Sequence, residues 1–160
     1  MSDQQSTPKA IVREFFDAYQ DQDPEAVRAT LTEDFVHRNH PAVEPDGSWL
    51  YGDLDDIDRY LEVEFAYFNV FPDLEYELDI VLAEGNLVAC RWTSTATHSG
   101  SWNGNGPESV MESVEPTGET VSFAGLNIFR IEDGKIAEMW GNHDDLGLFN
   151  WLGLIDIPPW

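Results

Sequence analysis

Three ionisable side chains cluster near the carboxyl-terminal end of the sequence. His143, Asp144 and Asp145 follow an alternating apolar segment, predicted to be a strand from Lys135 to Asn142, and precede an apolar stretch that begins at Leu146. Side chains of these types can give or take a proton, and the ends of strands are where sites are commonly built. From the residues alone, this cluster is a candidate site for acid-base chemistry.

Both aspartates also fit a structural role. An aspartate before an apolar run is a common N-cap, because its carboxylate accepts hydrogen bonds from the free N–H groups of a helix. Asp145 is better placed as the cap, so we assign it that role. Asp144 is left open between an acid-base group and a cap, and His143 alternates to the opposite face.

Two polar side chains share strand faces with apolar neighbours. Asn127 lies on a face with Phe129 where no other side chain can hydrogen-bond, so it needs a partner, either a ligand or the protein itself. His98 has the same parity as Cys90 and Trp92, so it either lines a pocket or closes the strand end by bonding to backbone.

A pair of histidines lies near the middle of the first half of the chain. His37 and His40 have the spacing His-x-x-His, which can hold a metal ion. No third ligand follows at a helpful spacing, whereas metal sites need at least three protein ligands. We therefore predict no metal site.

The charge balance excludes several classes of partner. The chain has 31 Asp and Glu against 8 Lys and Arg, a net charge of -23, and the acids are spread along all 160 residues. Such a surface repels nucleic acid and anionic lipid, and the combination with few lysines resembles proteins of salt-accumulating halophiles.

Cys90 is the single cysteine, and no segment has the pattern of a signal peptide or transmembrane helix. We predict a cytoplasmic protein.

Hydrophobic periodicity predicts helices first and a sheet second, which is an α+β fold. Helices are expected from Pro8 to about Gln22, from Pro24 to Leu31 and after Asp56, with a brief strand at Phe35–His37 and a loop at His40–Gly52. Alternation then predicts a four-stranded meander from Leu74 to Asn142, with Asp133-Gly134 as its last hairpin turn. We expect one domain over residues 1–160, a flexible terminus at 1–7, an inserted mobile loop at 99–118 and an apolar tail at 155–160.

An ordered set of short motifs resembles the SnoaL-like polyketide cyclases and the related ester cyclases over nearly the whole chain. The motifs are Phe71-Pro72-Asp73-Leu74, Glu84-Gly85, Arg91-Trp92-Thr93, Thr97-His98-Ser99-Gly100, Pro116-Thr117-Gly118 and the segment from Asp133 to Gly147. The resemblance implies a nuclear-transport-factor-2-like cone, in which a curved, mostly antiparallel sheet wraps around the N-terminal helices and leaves a pocket at its open end.

The resemblance also implies a chemistry. In that family an aspartate acts as general acid and base in an intramolecular aldol ring closure without metal or organic cofactor, and position matching places this aspartate on Asp144. Related sequences often carry a pocket histidine near His37 and His40. The chain departs from the family pattern at Asn127, where histidine is frequent, and in the residues 101–115 that lengthen one connection.

Together these arguments predict a set of site residues. The predicted catalytic residues are Asp144, Asn127 and His98. The residues predicted to bind substrate are His37, His40, Trp140, Tyr19, Phe16, Phe68 and Trp92, although core packing explains the aromatic ones equally well.

The leading hypothesis is an acid-base enzyme that abstracts a proton from a small or medium apolar carbonyl compound, in a cyclisation or an isomerisation. A ligand-binding or dimerisation module without chemistry, and a hydrolytic variant with a water held by several polar groups, are the alternatives. We expect a homodimer that needs no cofactor and binds neither nucleic acid nor membrane.

Overall fold

A computed structural model describes residues 7–43, 49–101, 114–153, 156 and 158, which form helices packed against one curved, open sheet. The helices are α1 (Pro8–Gln20), α2 (Pro24–Ala29), α3 (Ile57–Val70) and α4 (Asp145–Trp151). The strands are β1 (Leu31–Val43), β2 (Trp49–Leu54), β3 (Glu75–Glu84), β4 (Leu87–Thr97), β5 (Thr120–Glu132) and β6 (Lys135–His143). The predicted α+β class is confirmed.

The sheet has the strand order β2-β1-β6-β5-β4-β3. Strands β1 and β6 run parallel, whereas every other neighbouring pair is antiparallel. Strands β1 and β2, which come early in the chain, therefore extend the β3–β6 meander at the edge formed by β6. This arrangement places the first and last strands side by side.

The last hairpin has the turn that its sequence predicts. Asp133 has φ 48° and Gly134 has φ 79°, the two positive values that a type I′ turn requires. The turn pairs Glu132 with Lys135, and a bulge between Arg130 and Ile131 then shifts the register by one residue, so that Asn127 lies opposite Gly141. A one-residue slip would turn every inward side chain of β6 outward.

The prediction for residues 31–52 was wrong in extent. The expected brief strand at Phe35–His37 is part of the 13-residue strand β1, and β2 begins inside the expected loop. Pro41 and Gly52 disfavour strands in isolation. However, the segment of β1 around Pro41 pairs only with β2, so the missing N–H of proline is tolerated there.

The core lies between the concave face of the sheet and helices α1 and α3. Helix α1 begins at Pro8 after Thr7, whose side chain accepts a hydrogen bond from the N–H of Ala10. Its apolar face is buried at Ile11, Val12, Phe15, Phe16, Ala18 and Tyr19. Burying a side chain of the size of Phe15 contributes about 1.5–3 kcal/mol, so this face fixes the helix on the sheet.

The convex face of the sheet carries ion pairs and apolar side chains. Glu138 accepts hydrogen bonds from Arg38 at 2.8 Å and from Arg130 at 2.7 Å, joining three neighbouring strands. The two guanidinium groups hold the pKa of the Glu138 carboxyl below its usual range. Large apolar side chains exposed on the strands beside this network are Ile80, Leu82, Leu87, Leu126 and Ile128.

Some predicted segments fall outside the described residues. These are most of the flexible terminus at 1–7, residues 102–113 of the inserted loop, and most of the apolar tail. The near end of the loop is attached to α3, since the N–H groups of Ser99 and Gly100 both donate to the carbonyl of Val70. None of the helices that the structure describes is long and apolar enough to span a membrane.

Candidate active site

A pocket opens between the concave face of the sheet and helices α1 and α3. It contains about 380 Å³ of empty space, including the part open to solvent. The residues that line it are Phe15, Phe16, Tyr19, His37, Tyr60, Glu64, Tyr76, Trp92, Asn127, Met139 and His143. Five of the predicted site residues, His37, Tyr19, Phe16, Trp92 and Asn127, therefore lie together in one place.

Alternation along β6 decides which of its side chains reach the pocket. Met139 and His143 line it, and Gly141 lies between them on the same face. The strand extends through His143, one residue further than predicted. The sequence analysis assigned His143 to the face opposite the candidate base Asp144, and the structure shows that this face is the one toward the pocket.

Three polar side chains converge on the space left by Gly141. A Cβ atom on Gly141 would lie 2.9 Å from Nδ2 of Asn127, 3.3 Å from Nε2 of His143 and 3.4 Å from Nε2 of His37. Asn127 and His37 are buried, with 7% and 2% of their surface exposed, whereas His143 is half-buried. Three strands, β1, β5 and β6, thus bring one polar group each to a single point.

A hydrogen bond sets the orientation of the Asn127 amide. The indole Nε1 of Trp92 donates to Oδ1 of Asn127 across 2.6 Å. An indole N–H can only donate, so the amide oxygen must face Trp92 and the NH₂ group must face the other way. Asn127, predicted to bond either ligand or protein, bonds the protein with its oxygen and turns its donor toward Gly141.

Three tyrosines and one glutamate line the pocket: Tyr19 from α1, Tyr60 and Glu64 from α3, and Tyr76 from β3. Burial raises the pKa values of Tyr19, Tyr60 and Tyr76, and the nearby negative charge of Glu64 raises each of them further. These tyrosines are therefore neutral at physiological pH and act as hydrogen-bonding groups, not as bases. Glu64 is the pocket carboxylate among the residues that the structure describes.

Asp144 lies outside the pocket lining. Its side chain is exposed, and Oδ1 accepts a hydrogen bond at 3.0 Å from the N–H of Gly147. Asp144 is therefore the N-cap of α4, and Asp145 is the first residue of the helix. Assigning the cap to Asp145 was wrong by one residue. Asp144 is the residue between the strand and the helix: its N–H still donates to the carbonyl of Ala124 on β5, and the helix begins at the next residue.

His98 closes the end of β4, which is the second of its two predicted roles. The ring has no exposed surface, and Nδ1 accepts a hydrogen bond at 3.3 Å from the N–H of Thr117. Its ring packs 5.8 Å from that of Phe71 in the core. His98 does not line the pocket, so the structure does not bring it together with Asn127.

Three other predicted pocket residues lie elsewhere or cannot be placed. Trp140 pairs with Ile128, which is 45% exposed, and so belongs to the convex face, one residue out of phase with Met139. Phe68 is buried behind the pocket, with its ring 5.1 Å from that of Tyr19. The side chain of His40 lies outside the described part of the chain.

The sequence analysis missed several residues that the structure brings into the pocket. They are Phe15, Tyr60, Glu64, Tyr76, Met139 and His143. Counting by two from Met139 along β6 would have found His143, because the strand continues to it. Within the described residues, His, Cys, Asp and Glu side chains form no group of three or more that could hold a metal ion.

Comparison with known proteins agrees with the fold. A family model described as SnoaL-like polyketide cyclase matches residues 9–152. Among solved structures, the chain is 26% identical to IdmH, a proposed polyketide cyclase from Streptomyces antibioticus, with a TM-score of 0.76 over 92% of this chain and 99% of that one. No curated protein matches the chain.

Two further solved structures have the same fold. AclR from Streptomyces galilaeus, a proposed hydroxylase, is 28% identical with a TM-score of 0.74, and the match covers 95% of this chain and 84% of AclR. TsrD from Streptomyces laurentii is 27% identical with a TM-score of 0.68, covering 91% and 93% of the two chains. Since the family model spans most of the sequence, the chain belongs to the SnoaL-like polyketide cyclase family.

Proposed function

We propose that the chain is an enzyme that binds a small apolar carbonyl compound in the pocket and moves a proton on it by acid-base catalysis. The observation that carries this proposal is the convergence of Asn127, His143 and His37 on the space over Gly141, inside a wall of aromatic side chains. An apolar pocket with a few convergent polar groups is the usual form of a small-molecule site.

The three polar groups suit different parts of one proton transfer. The imidazole of His143 takes a proton from the carbon beside the carbonyl, and the electron pair of the broken C–H bond moves onto the carbonyl oxygen. The NH₂ group of Asn127 donates a hydrogen bond to that oxygen as its charge grows. The proton then returns to another atom of the same compound, giving an isomer or, after the new carbanion attacks a second carbonyl, a ring.

Asp144 remains a second candidate base, as the family resemblance implies. For its carboxylate to reach a ligand in the pocket, the hydrogen bond to the N–H of Gly147 must break and the start of α4 must rearrange. His143 already lines the pocket, so we place it first.

Exchange of carbon-bound hydrogen for deuterium tests the proposal without knowledge of the natural substrate. A panel of small ketones is incubated with the protein in D₂O, and loss of the α-proton signal is followed by NMR. We expect the wild-type protein to accelerate exchange and His143→Gln to lower the rate by about 10²–10⁴-fold. Asp144→Asn is expected to keep the wild-type rate of exchange.

If exchange is lost in Asp144→Asn and kept in His143→Gln, Asp144 is the base. If the wild-type protein exchanges no ketone, the proposal is contradicted.

A hydrolytic reaction is the second candidate, and the number of polar groups favours it. Besides the three groups at Gly141, Glu64 and Tyr76 also line the pocket, so their polar groups add to the partners that could hold a water molecule. Small esters in H₂¹⁸O distinguish the two functions. Incorporation of ¹⁸O that requires Glu64 would favour hydrolysis over proton transfer.

We also propose that the chain forms a homodimer through the convex face of the sheet. Ile80, Leu82 and Leu126 are 50%, 62% and 58% exposed there, and several large apolar side chains exposed on one face suit an interface. Sedimentation equilibrium of the wild type and of Leu126→Glu tests this assignment. A wild-type monomer at all concentrations would rule it out.

The composition supports a proposal about the cellular setting. With a net charge of -23, the protein suits a cytoplasm rich in salt and is a poor partner for nucleic acid. A filter-binding assay with DNA and RNA at low salt tests the second point, since binding would contradict it.

A further inference from the structure

We propose that the carbonyl oxygen of the ligand accepts a hydrogen bond from Nδ2 of Asn127 in the pocket beside Gly141, and that Trp92 is a positioning residue that keeps this donor turned toward the ligand. The proposal rests on the function proposed above, because it specifies where the reacting carbonyl group lies. It also names the feature that the pocket selects, which is a hydrogen-bond acceptor at one defined point.

The position of this donor follows from the strand register. Asn127 on β5 pairs directly with Gly141 on β6, so the amide leans over a residue that has no side chain. A Cβ atom at Gly141 would lie only 2.9 Å from Nδ2 of Asn127. The amide therefore lies against the bare backbone of Gly141, and a ligand oxygen that enters the pocket beside it can accept a hydrogen bond from Nδ2 at about 2.9 Å.

The orientation of the amide depends on Trp92. If the amide of Asn127 turned over, its NH₂ group would face the N–H of Trp92, and two donors would oppose each other in a site where both residues are buried. An unsatisfied buried polar group costs about 1–3 kcal/mol. Trp92 therefore keeps the donor of Asn127 on the pocket side.

The indole of Trp92 is itself held in place. A Cβ atom on Gly125, its partner in β5, would lie 2.2 Å from Cζ2 of the indole, so the ring lies directly over this glycine. The rings of Tyr76 and His143 pack against the indole with centroids 5.0 Å and 5.2 Å away. Gly125 thus provides the room in which Trp92 can reach Asn127.

This arrangement predicts selectivity between two compounds of the same shape. Acetophenone carries a carbonyl group, whereas in α-methylstyrene a CH₂ group replaces the oxygen. Only the ketone can accept a hydrogen bond from Asn127. We expect the wild-type protein to bind acetophenone about 5–10-fold more tightly, the range for one net hydrogen bond.

Binding is measured by NMR titration with acetophenone labelled with ¹³C at the carbonyl carbon. A hydrogen bond to the oxygen moves this signal downfield, so the shift of the bound ligand reports the contact directly. The same titrations are repeated with α-methylstyrene, which reports the apolar part of the pocket alone.

Three variants separate the parts of the proposal. Gly141→Ala displaces the amide, because its Cβ atom would meet Nδ2 of Asn127 at 2.9 Å, and is expected to weaken acetophenone binding about tenfold and to remove the downfield shift. Asn127→Asp keeps an acceptor for the indole N–H of Trp92 but loses the NH₂ donor. Trp92→Phe removes the hydrogen bond that orients the Asn127 amide, so the amide can turn over. Each variant should reduce the downfield shift of the carbonyl signal by more than half, while α-methylstyrene binds nearly as before. The matched control is Gly52→Ala on β2, where a Cβ atom meets nothing within 4 Å.

The outcomes distinguish this proposal from the proposed enzyme function. Equal binding of both compounds to the wild type, no binding of either, or an unchanged carbonyl shift in Gly141→Ala and Asn127→Asp would overturn the oxygen site. If Trp92→Phe does not fold, Asn127→Asp still decides, because it leaves the indole in place. Failure of deuterium exchange with a normal carbonyl shift would instead remove the catalysis and leave the site.

Discussion

The hydroxyl of Tyr19 donates to the backbone carbonyl oxygen of Glu64 across 2.9 Å and so joins helix α1 to helix α3 above the pocket. Tyr19 has only 5% of its surface exposed, and its ring packs 5.6 Å from that of Tyr76 on the sheet. One side chain thus contacts both helices and the strand layer. The helix side of the pocket depends on this bridge.

Replacing Tyr19 by phenylalanine removes the bridge and leaves the ring. We expect Tyr19→Phe to lower the free energy of unfolding by about 1 kcal/mol, because one buried hydrogen bond is lost while apolar packing is kept. Urea denaturation followed by circular dichroism measures the change. An unchanged midpoint would show that the hydroxyl is equally well satisfied by water.

The capping role of Asp144 predicts a difference between two substitutions. Alanine cannot accept the hydrogen bond from the N–H of Gly147, whereas asparagine caps a helix about as well as aspartate. We expect Asp144→Ala to lower the free energy of unfolding by about 1 kcal/mol and Asp144→Asn to change it little. The comparison is made by thermal unfolding, and equal losses in both variants would contradict the assignment of the cap.

The carboxylate of Asp73 makes part of the stability depend on pH. It accepts hydrogen bonds from the N–H of Thr97 at 2.7 Å and from its hydroxyl at 2.6 Å, and these bonds hold the pKa of Asp73 below its ordinary value. A lowered folded-state pKa stabilises the fold above the unfolded-state pKa of about 4, and this contribution is lost as the pH falls through the folded-state value.

The matching variant is Asp73→Asn. At pH 7 it should be less stable than the wild type by about 1 kcal/mol, a small value because the carboxylate is exposed. The difference should shrink steadily below about pH 4, as the wild type becomes protonated. A difference that is constant from pH 7 to pH 2 would contradict this account.

Salt should stabilise the protein despite its ion pairs. Screening weakens attraction at exposed pairs such as Arg91 with Asp79, but it also weakens repulsion within a chain of net charge -23. Exposed pairs contribute about 0–1 kcal/mol each, so the repulsion should dominate. We expect the unfolding midpoint to rise from 0.1 to 1 M KCl in circular dichroism, and a flat response would contradict a halophilic protein.

The fold could be predicted where the signal is local. Asp133-Gly134 specifies its turn by backbone geometry alone. The alternation in Leu74–Leu82 predicts the strand β3, but it would place Ile80 and Leu82 on the buried face, whereas a bulge between Leu78 and Ile80 leaves them 50% and 62% exposed. The pairing of β1 with β2 could not be predicted, because Pro41 and Gly52 carry the local signal of a loop. Pairing energy from neighbouring strands overrides that signal only in the folded sheet.

Some residues of the candidate site could be predicted from the sequence, but the positions of their side chains mostly could not. Asn127 was found because a polar residue on an apolar face needs a partner, and the structure supplies one in Trp92. Asp144 was expected in the pocket and His143 on the opposite face, but the structure places His143 in the pocket lining and Asp144 at the helix cap. The reason is that β6 continues through His143 and ends there. Glu64 was missed since a carboxylate on a helix surface looks the same in the sequence whether it faces solvent or a pocket.

The parallel pairing of β1 with β6 has a consequence for how the protein is made. Arg38 and Glu138, bonded across these strands, are 100 positions apart in the chain, and β1 brings His37 while β6 brings His143. Contacts between such distant segments form only after a long loop has closed, which is slow and entropically costly. A nascent chain therefore has no pocket until β6 has left the ribosome. Until then the aromatic side chains of α1 have no complete sheet to pack against, and such exposed apolar surface is prone to aggregation.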